Sequence, residues 1–306
     1  MSNSLDNYRL FLFSEAGSQI THMMGISGNE ALIAREKIFT ENGVINVPYL
    51  SGNAIRHRAI REPGAKYLIN RYDLAGKLTP DILNFLLTGG SLTEGSVTDN
   101  LKTIADMQYL FPLYRALGGS LKNQILSGSI NVGRGVLLCE ENRAMINKTL
   151  PKDFDQIDTV LMGAESFVSQ YQYTRADATK QKDADKFLDK QILDNNESNL
   201  MIYNGQSIVT NSVFLHDIVL NNVCILEVGA VYDALIRWQE AAGTIGGQSR
   251  IGHGRLKTSV NINPYVDLDD ARQQYLNHVD TVKDDAIAWL YNTFQSKPEP
   301  TGKSKK

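Results

Sequence analysis

Five apolar residues crowd into YRLFLF, positions 8–13. The run is too short for a helix and barely interrupted by polar residues, so it predicts a strand covered on both faces. Polar alternation follows to Met24, and GISGNE (25–30) reads as a loop. The stretch AREKIFTENGVINVPYL (34–50) then divides into two strand-like pieces about Glu41-Asn42-Gly43. Asn-Gly tolerates positive φ and predicts a hairpin there, while Pro48 confines the second piece to an edge or an end. Ser51 is a good N-cap for a helix with Ile55, Ala59 and Ile60 on its buried side, and Pro63-Gly64 predict its end at Glu62.

Residues 66–126 read as mostly helical, with breaks at Gly89-Gly90, Pro112 and Gly118-Gly119. ILSGSINVGRGVLLCE (125–140) returns to extended structure. Between 171 and 200 charges of both signs accumulate and aliphatics thin out, which predicts an exposed, projecting segment. One or two strands follow over 202–223, and from Leu226 the spacing of Ala230, Val231, Ala234, Leu235 and Trp238 predicts an amphipathic helix. A further helix is expected from Asp267 to Phe294, and the Lys- and Pro-rich residues 296–306 read as a disordered tail. This order of elements fits an α+β class, a ferredoxin-like βαββαβ core carrying large insertions.

Composition narrows the function classes. The 306 residues carry a net charge of −3, so any phosphate partner has to be held by local basic patches rather than a uniformly basic coat. No apolar run approaches the roughly 18 residues that a bilayer requires, and MSNSLDNYRL lacks the features of a signal peptide, so a cytoplasmic protein with no membrane partner is expected. Cys139 and Cys224 lie far apart and outside any CxxC pattern, which predicts reduced, structural thiols.

Enzyme signatures fail on context. There is no GxSxG or HExxH, and His22, His57, His216, His253 and His278 are scattered. GHGRLK (252–257) follows a helix and lacks the third glycine of a dinucleotide fingerprint; TGKS in the tail lacks the first glycine of a P-loop. No metal site and no cofactor are expected.

Two stretches remain. VPYLSGNAIRHRAIR (47–61) sets small residues at a helix N-terminus, where free amides favour an anion, and follows them with Arg56, His57, Arg58 and Arg61. GGQSRIGHGRLK (246–257) combines Gly246, Gly247, Gly252 and Gly254, whose bare backbone admits close approach, with Arg250, His253, Arg255 and Lys257. In a ferredoxin-like core the two stretches lie at one edge, and together they predict a groove that tracks phosphates.

On these residues, and on FLLTGGSL and LFPLYRALGGSLKNQILSGSINVG, the chain resembles the CRISPR-associated RAMP superfamily over about residues 8–260. Within it the resemblance is to Cas-seven type backbone subunits, most of all the type IV version. It implies a modified ferredoxin-like, RNA-recognition-motif palm (1–65, 127–164 and 216–295), a helical fingers insertion (66–126) and a projecting thumb hairpin (165–215). The partners it implies are a guide RNA (crRNA), a target nucleic acid that is DNA rather than RNA, further copies of the chain and other subunits of a CRISPR complex. The implied RNA contacts are Ser51, Gly52, Asn53, Arg56, His57, Gly246, Gly247, Arg250, Gly252, His253, Gly254 and Arg255, with Tyr171, Tyr173, Arg175 and Lys180 from the thumb. RNA-cleaving relatives carry an aspartate in the loop after the first strand; this chain has none between Asp6 and Asp73, and Glu30 is the only carboxylate in that loop. A guide without cutting activity is therefore expected. The alternative is an endoribonuclease of the same fold using Glu30 or His22.

Overall fold

The computed structural model describes residues 4–27, 30–41, 43–90, 101–121, 124–152, 154, 161–175, 186 and 201–294. In chain order the strands are β1 (Asp6–Ala16), β2 (Met23–Ser27), β3 (Glu30–Ile33), β4 (Arg35–Thr40), β5 (Gly43–Leu50), β6 (Gly119–Leu121), β7 (Gln124–Leu126), β8 (Ile130–Leu137), β9 (Val168–Arg175), β10 (Met201–Ile208), β11 (Val213–Val223) and β12 (Leu256–Asn263). The helices are α1 (Gly52–Ile55), a π-helical segment (Arg56–Arg61), α2 (Glu62–Arg71), α3 (Pro80–Thr88), α4 (Leu101–Leu110), α5 (Pro112–Leu117), α6 (Arg143–Thr149), α7 (Ile225–Glu240), α8 (Leu268–Thr281) and α9 (Lys283–Phe294).

The protein is an α+β molecule whose main sheet is antiparallel and whose second sheet includes one parallel pair, β3 with β10. Six strands run in the order β12-β1-β11-β8-β5-β4, every neighbouring pair antiparallel. β1 lies between β12 and β11 and loses both faces, as its dense run predicts. Leu10 and Leu12 join the main core, whereas Phe11 packs with Ile146 and Leu150 on the opposite face. α7 covers the main-core face and packs against α8; burial of its Ala230, Val231, Ala234, Leu235 and Trp238 follows the predicted stripe. Its two buried carboxylates are paired: Glu227 accepts from Arg115 at 2.5 Å, and Asp233 from Arg237 at 2.6 Å and Arg272 at 2.8 Å. A second sheet, β2-β3-β10-β9, stands beside the first.

Four local readings need correction. GISGNE is not a loop: β2 and β3 pair antiparallel across it, and Glu30 lies opposite Asn204 of β10. Such short strands carry too few residues to alternate visibly. The helix opening at Gly52 does not stop at Glu62 but continues to Arg71. Its π-helical turn is wide, with the Glu62 amide donating to the His57 carbonyl five residues back. That widening relieves the clash and the lost donor that Pro63 would bring to a regular α-helix. The expected helix from Asp267 to Phe294 is two, separated at Val282. Asp267 is not in it but caps it, its carboxylate accepting from the Asp269 and Asp270 amides. No helix among the described residues is long and apolar enough to cross a membrane.

Candidate nucleic-acid interface

The two basic stretches meet on one short segment that follows β1. Residues 17–22 are zipped to the glycine-rich loop: the amides of Gly17, Gly247 and Gly254 donate to the carbonyls of Arg255, Thr21 and Gln19 at 2.8, 2.7 and 2.7 Å. The Arg255 amide donates to Ser18 Oγ at 3.0 Å. Thr21 Oγ1 and His253 Nδ1 share a further hydrogen bond of 2.6 Å. The next residue faces the other stretch, with His22 Nε2 accepting from the Ser51 amide at 3.0 Å. Thr21 and His22 thus join the two loops through consecutive side chains. Burial depresses the His22 pKa, keeping the ring neutral and its Nε2 lone pair engaged by Ser51.

Ser51 caps α1 as predicted, its hydroxyl accepting from the Ala54 amide at 3.2 Å. Gly52 is there because the chain passes close to β8: a β-carbon would lie 2.3 Å from the Val132 carbonyl oxygen. In the late loop the structure gives glycine a different reason from the one the sequence suggested. Gly246 and Gly254 hold φ of 78° and 83°, and β-carbons there would meet the carbonyl oxygens of Thr21 and Ile245 at 2.5 and 2.0 Å. These two serve the close approach of the protein to itself. Gly247 and Gly252 leave open surface: a β-carbon at Gly247 would make ordinary contacts, and one at Gly252 would touch nothing within 4 Å.

The cations divide. Arg56 donates to the Leu117 carbonyl, and the buried Arg61 donates to Gly118 O at 2.9 Å with its guanidinium 5.8 Å from the Tyr114 ring. Arg58 is exposed but pairs with Glu62 at 3.0 Å. By contrast Asn53, His57, Arg250, Arg255 and Lys257 are exposed, and none of these four cationic or titratable side chains forms an ion pair among the described residues. Arg250 sits in the 3-10 turn Ser249–Ile251, which Gln248 enters at φ 61° and Gly252 leaves at φ 93°.

An aromatic ladder that the sequence reading only half found joins this loop to β9 and β10. The His253 ring stands edge-on to Tyr171 (5.3 Å, 87°); Tyr171 lies parallel to Tyr173 (6.3 Å, 4°), and Tyr173 stacks on Tyr203 of the neighbouring strand (5.0 Å, 13°). Gln248 Nε2 reaches the Tyr173 hydroxyl at 3.5 Å. Tyr173 remains 38% exposed within a ladder that begins at the glycine loop. Arg175 closes β9 opposite Met201, and Lys180 lies outside the described residues. The sequence signal for the ladder was the i, i+2 spacing of Tyr171 and Tyr173, which puts both rings on one face of a strand.

The fold recurs in a chain of a solved "Type IV-B CRISPR Complex". The match has a TM-score of 0.52 and covers 87% of this chain and 98% of that one, at 16% sequence identity. At that identity the likeness establishes the fold and leaves the chemistry to the residues. No protein-family profile matches the chain, and no curated protein matches it in sequence. Among the described residues, no group of three or more His, Cys, Asp or Glu side chains is placed to hold a metal ion.

Proposed function

We propose that the chain is a guide-RNA-binding backbone subunit of a CRISPR complex, a RAMP protein of the Cas-seven type. The carrying observation is the convergence of the two basic stretches on Thr21-His22. That joint sets a capped helix N-terminus beside a loop whose exposed arginines form no ion pair among the described residues, which suits a phosphodiester backbone and reads no base. The tyrosine ladder extends the surface with flat apolar faces on which bases stack whatever their sequence. The likeness to a type IV-B complex chain agrees with this reading.

In it, β12-β1-β11-β8 with α7 form a ferredoxin-like palm, residues 66–126 the fingers, and 165–215 the thumb. Ser51, Gly52, Asn53, His57, Gly247, Arg250, Gly252, His253 and Arg255 face the guide, with Arg56 contributing what its bond to Leu117 leaves free. Gly246 and Gly254 shape the loop, and Tyr173 and Arg175 meet the strand from the ribbon. The partners are the crRNA, a DNA target, further copies and other complex subunits, and the subunit itself does not cut.

The test is the nucleic acid that co-purifies. The unaltered chain is expected to carry RNA, seen as an absorbance ratio at 260 to 280 nm characteristic of nucleoprotein, and Arg250→Glu/Arg255→Glu to lose it while staying folded. Equal RNA content in both would overturn the groove. Regular cuts in a complementary RNA, lost on Glu30→Gln, would replace the guide by the endoribonuclease.

A further inference from the structure

A cleft of about 460 Å³ opens between α2 and the C-terminal turn of α7, at the root of the glycine-rich loop. The indole of Trp238 fixes that root, donating to the Thr244 carbonyl at 3.0 Å. Of the two basic stretches only Arg58 lines the cleft, so the guide groove does not account for it.

Arg237 is its most constrained cation. The guanidinium lies over the Tyr67 ring, 3.7 Å from the centroid, and its Nε donates to Asp233 at 2.6 Å. These two contacts hold the plane of the fork and use only one of its N–H groups. Among the described residues the two terminal nitrogens bond nothing, and 28% of the side chain stays accessible. The charges around it are shared unevenly. The buried Asp233 also accepts from Arg272 Nε at 2.8 Å, and Glu62 accepts from both Arg58 at 3.0 Å and Lys66 at 2.8 Å. Each of these carboxylates therefore serves two cations. With the exposed Glu240 counted, Arg58, Lys66, Arg237 and Arg272 stand against Glu62, Asp233 and Glu240, which leaves one positive charge over.

A planar fork fixed from behind, with both ends free, suits bidentate contact with an oxyanion. Further donors come from different elements: Lys66 and Asn70, one turn apart on α2, and the Thr244 hydroxyl on the loop. Donors converging from α2, α7 and the loop match the tetrahedral oxygens of a phosphate better than the two coplanar oxygens of a carboxylate. We infer that this cleft binds a phosphate group, gripped by Arg237, with Lys66 and Arg58 adding charge at the mouth. Two sources carry that group: a small phosphomonoester, and the phosphodiester backbone of a nucleic-acid strand outside the guide groove. The inference goes beyond the guide reading and does not depend on it.

Isothermal titration of the full chain carrying Arg250→Glu/Arg255→Glu, in which the guide groove is disabled, reads the cleft by itself. The probes are adenosine 5′-monophosphate and a short oligouridylate with a 5′-hydroxyl, which has phosphodiesters only. Binding of the nucleotide alone assigns a phosphomonoester site, and binding of the oligouridylate assigns a strand. Adenosine should not bind, and inorganic phosphate should displace the bound probe where acetate does not. Arg237→Lys keeps the charge but removes the fork and should weaken the probe at least about tenfold. Lys66→Ala, at a side chain 64% exposed and therefore dispensable for folding, should weaken it about threefold.

No binding of either probe, displacement by acetate as readily as by phosphate, or an affinity unchanged in both variants overturns the site. These outcomes separate from those of the guide reading. RNA that co-purifies with the unaltered chain should persist in Arg237→Lys, so the cleft fails without the groove failing, and a chain that carries no RNA but binds the nucleotide keeps the cleft and removes the guide.

Discussion

Between residues 56 and 61 two of three arginines turn into the protein; between 250 and 257 every cation turns out. Arg56 and Arg61 reach the carbonyls of Leu117 and Gly118, where α5 ends, and Arg61 is left only 4% exposed. Arg250, Arg255 and Lys257 are exposed, and none of their side chains bonds a carbonyl among the described residues. Similar compositions thus do different work. The helix spends its charge tying residues 117 and 118 to the sheet side of the molecule, and the loop keeps its charge for something outside it. Only the second kind can release counterions from a phosphate strand.

The largest expected effect tests the inward member. Arg61→Met removes the donor to Gly118 O and the contact with Tyr114, and leaves a buried carbonyl unpaired; about 3 kcal/mol of unfolding free energy should be lost in denaturant titration. Arg250→Ala should change stability by less than about 0.5 kcal/mol in the same assay. Equal losses would erase the distinction.

The same contrast extends to histidines. His216 is fully buried with both ring nitrogens unpartnered, and burial lowers its pKa from 6.5 to about 3; His57 is exposed. Below pH 6.5 the unfolded chain takes up a proton that the folded one refuses. Stability is therefore intact above pH 6.5 and falls as pH drops toward 3, by about 1.4 kcal/mol per pH unit from this group. His216→Leu should flatten that slope in urea titrations at pH 6.5 and 4.5.

A smaller effect sharpens the reading of the glycines. Gly254→Ala forces a β-carbon against the Ile245 carbonyl at positive φ and should cost about 1–3 kcal/mol. Gly247→Ala, with room for its methyl, should cost under about 1 kcal/mol by the same titration. If the two are alike, the loop's conformation does not depend on its own backbone packing.

Much of this was legible in the sequence. The two-faced burial of β1, the Asn-Gly hairpin, the Ser51 cap, the breaks at Gly89, Pro112 and Gly118 and the stripe of α7 all follow from short-range pattern. The pairing of the two basic stretches was read from composition and the expected topology. What joins them was not, because Thr21 and His22 reach partners 232 and 29 residues away and nothing local marks a residue for such a bond. Tyr203 escaped for the same reason: its stacking on Tyr173 exists only once β10 pairs with β9. The fate of each arginine was equally hidden, since a guanidinium turns inward only where folding has placed an unpaired carbonyl within reach.

The most direct test of the central claim is the salt dependence of single-stranded RNA binding by the unaltered chain and by Arg250→Ala/Arg255→Ala. Each phosphate neutralised contributes about −0.7 to the slope of log affinity against log salt, so the double variant should bind more weakly, with a slope shallower by about 1.4. An unchanged slope and affinity in a folded variant would contradict the account.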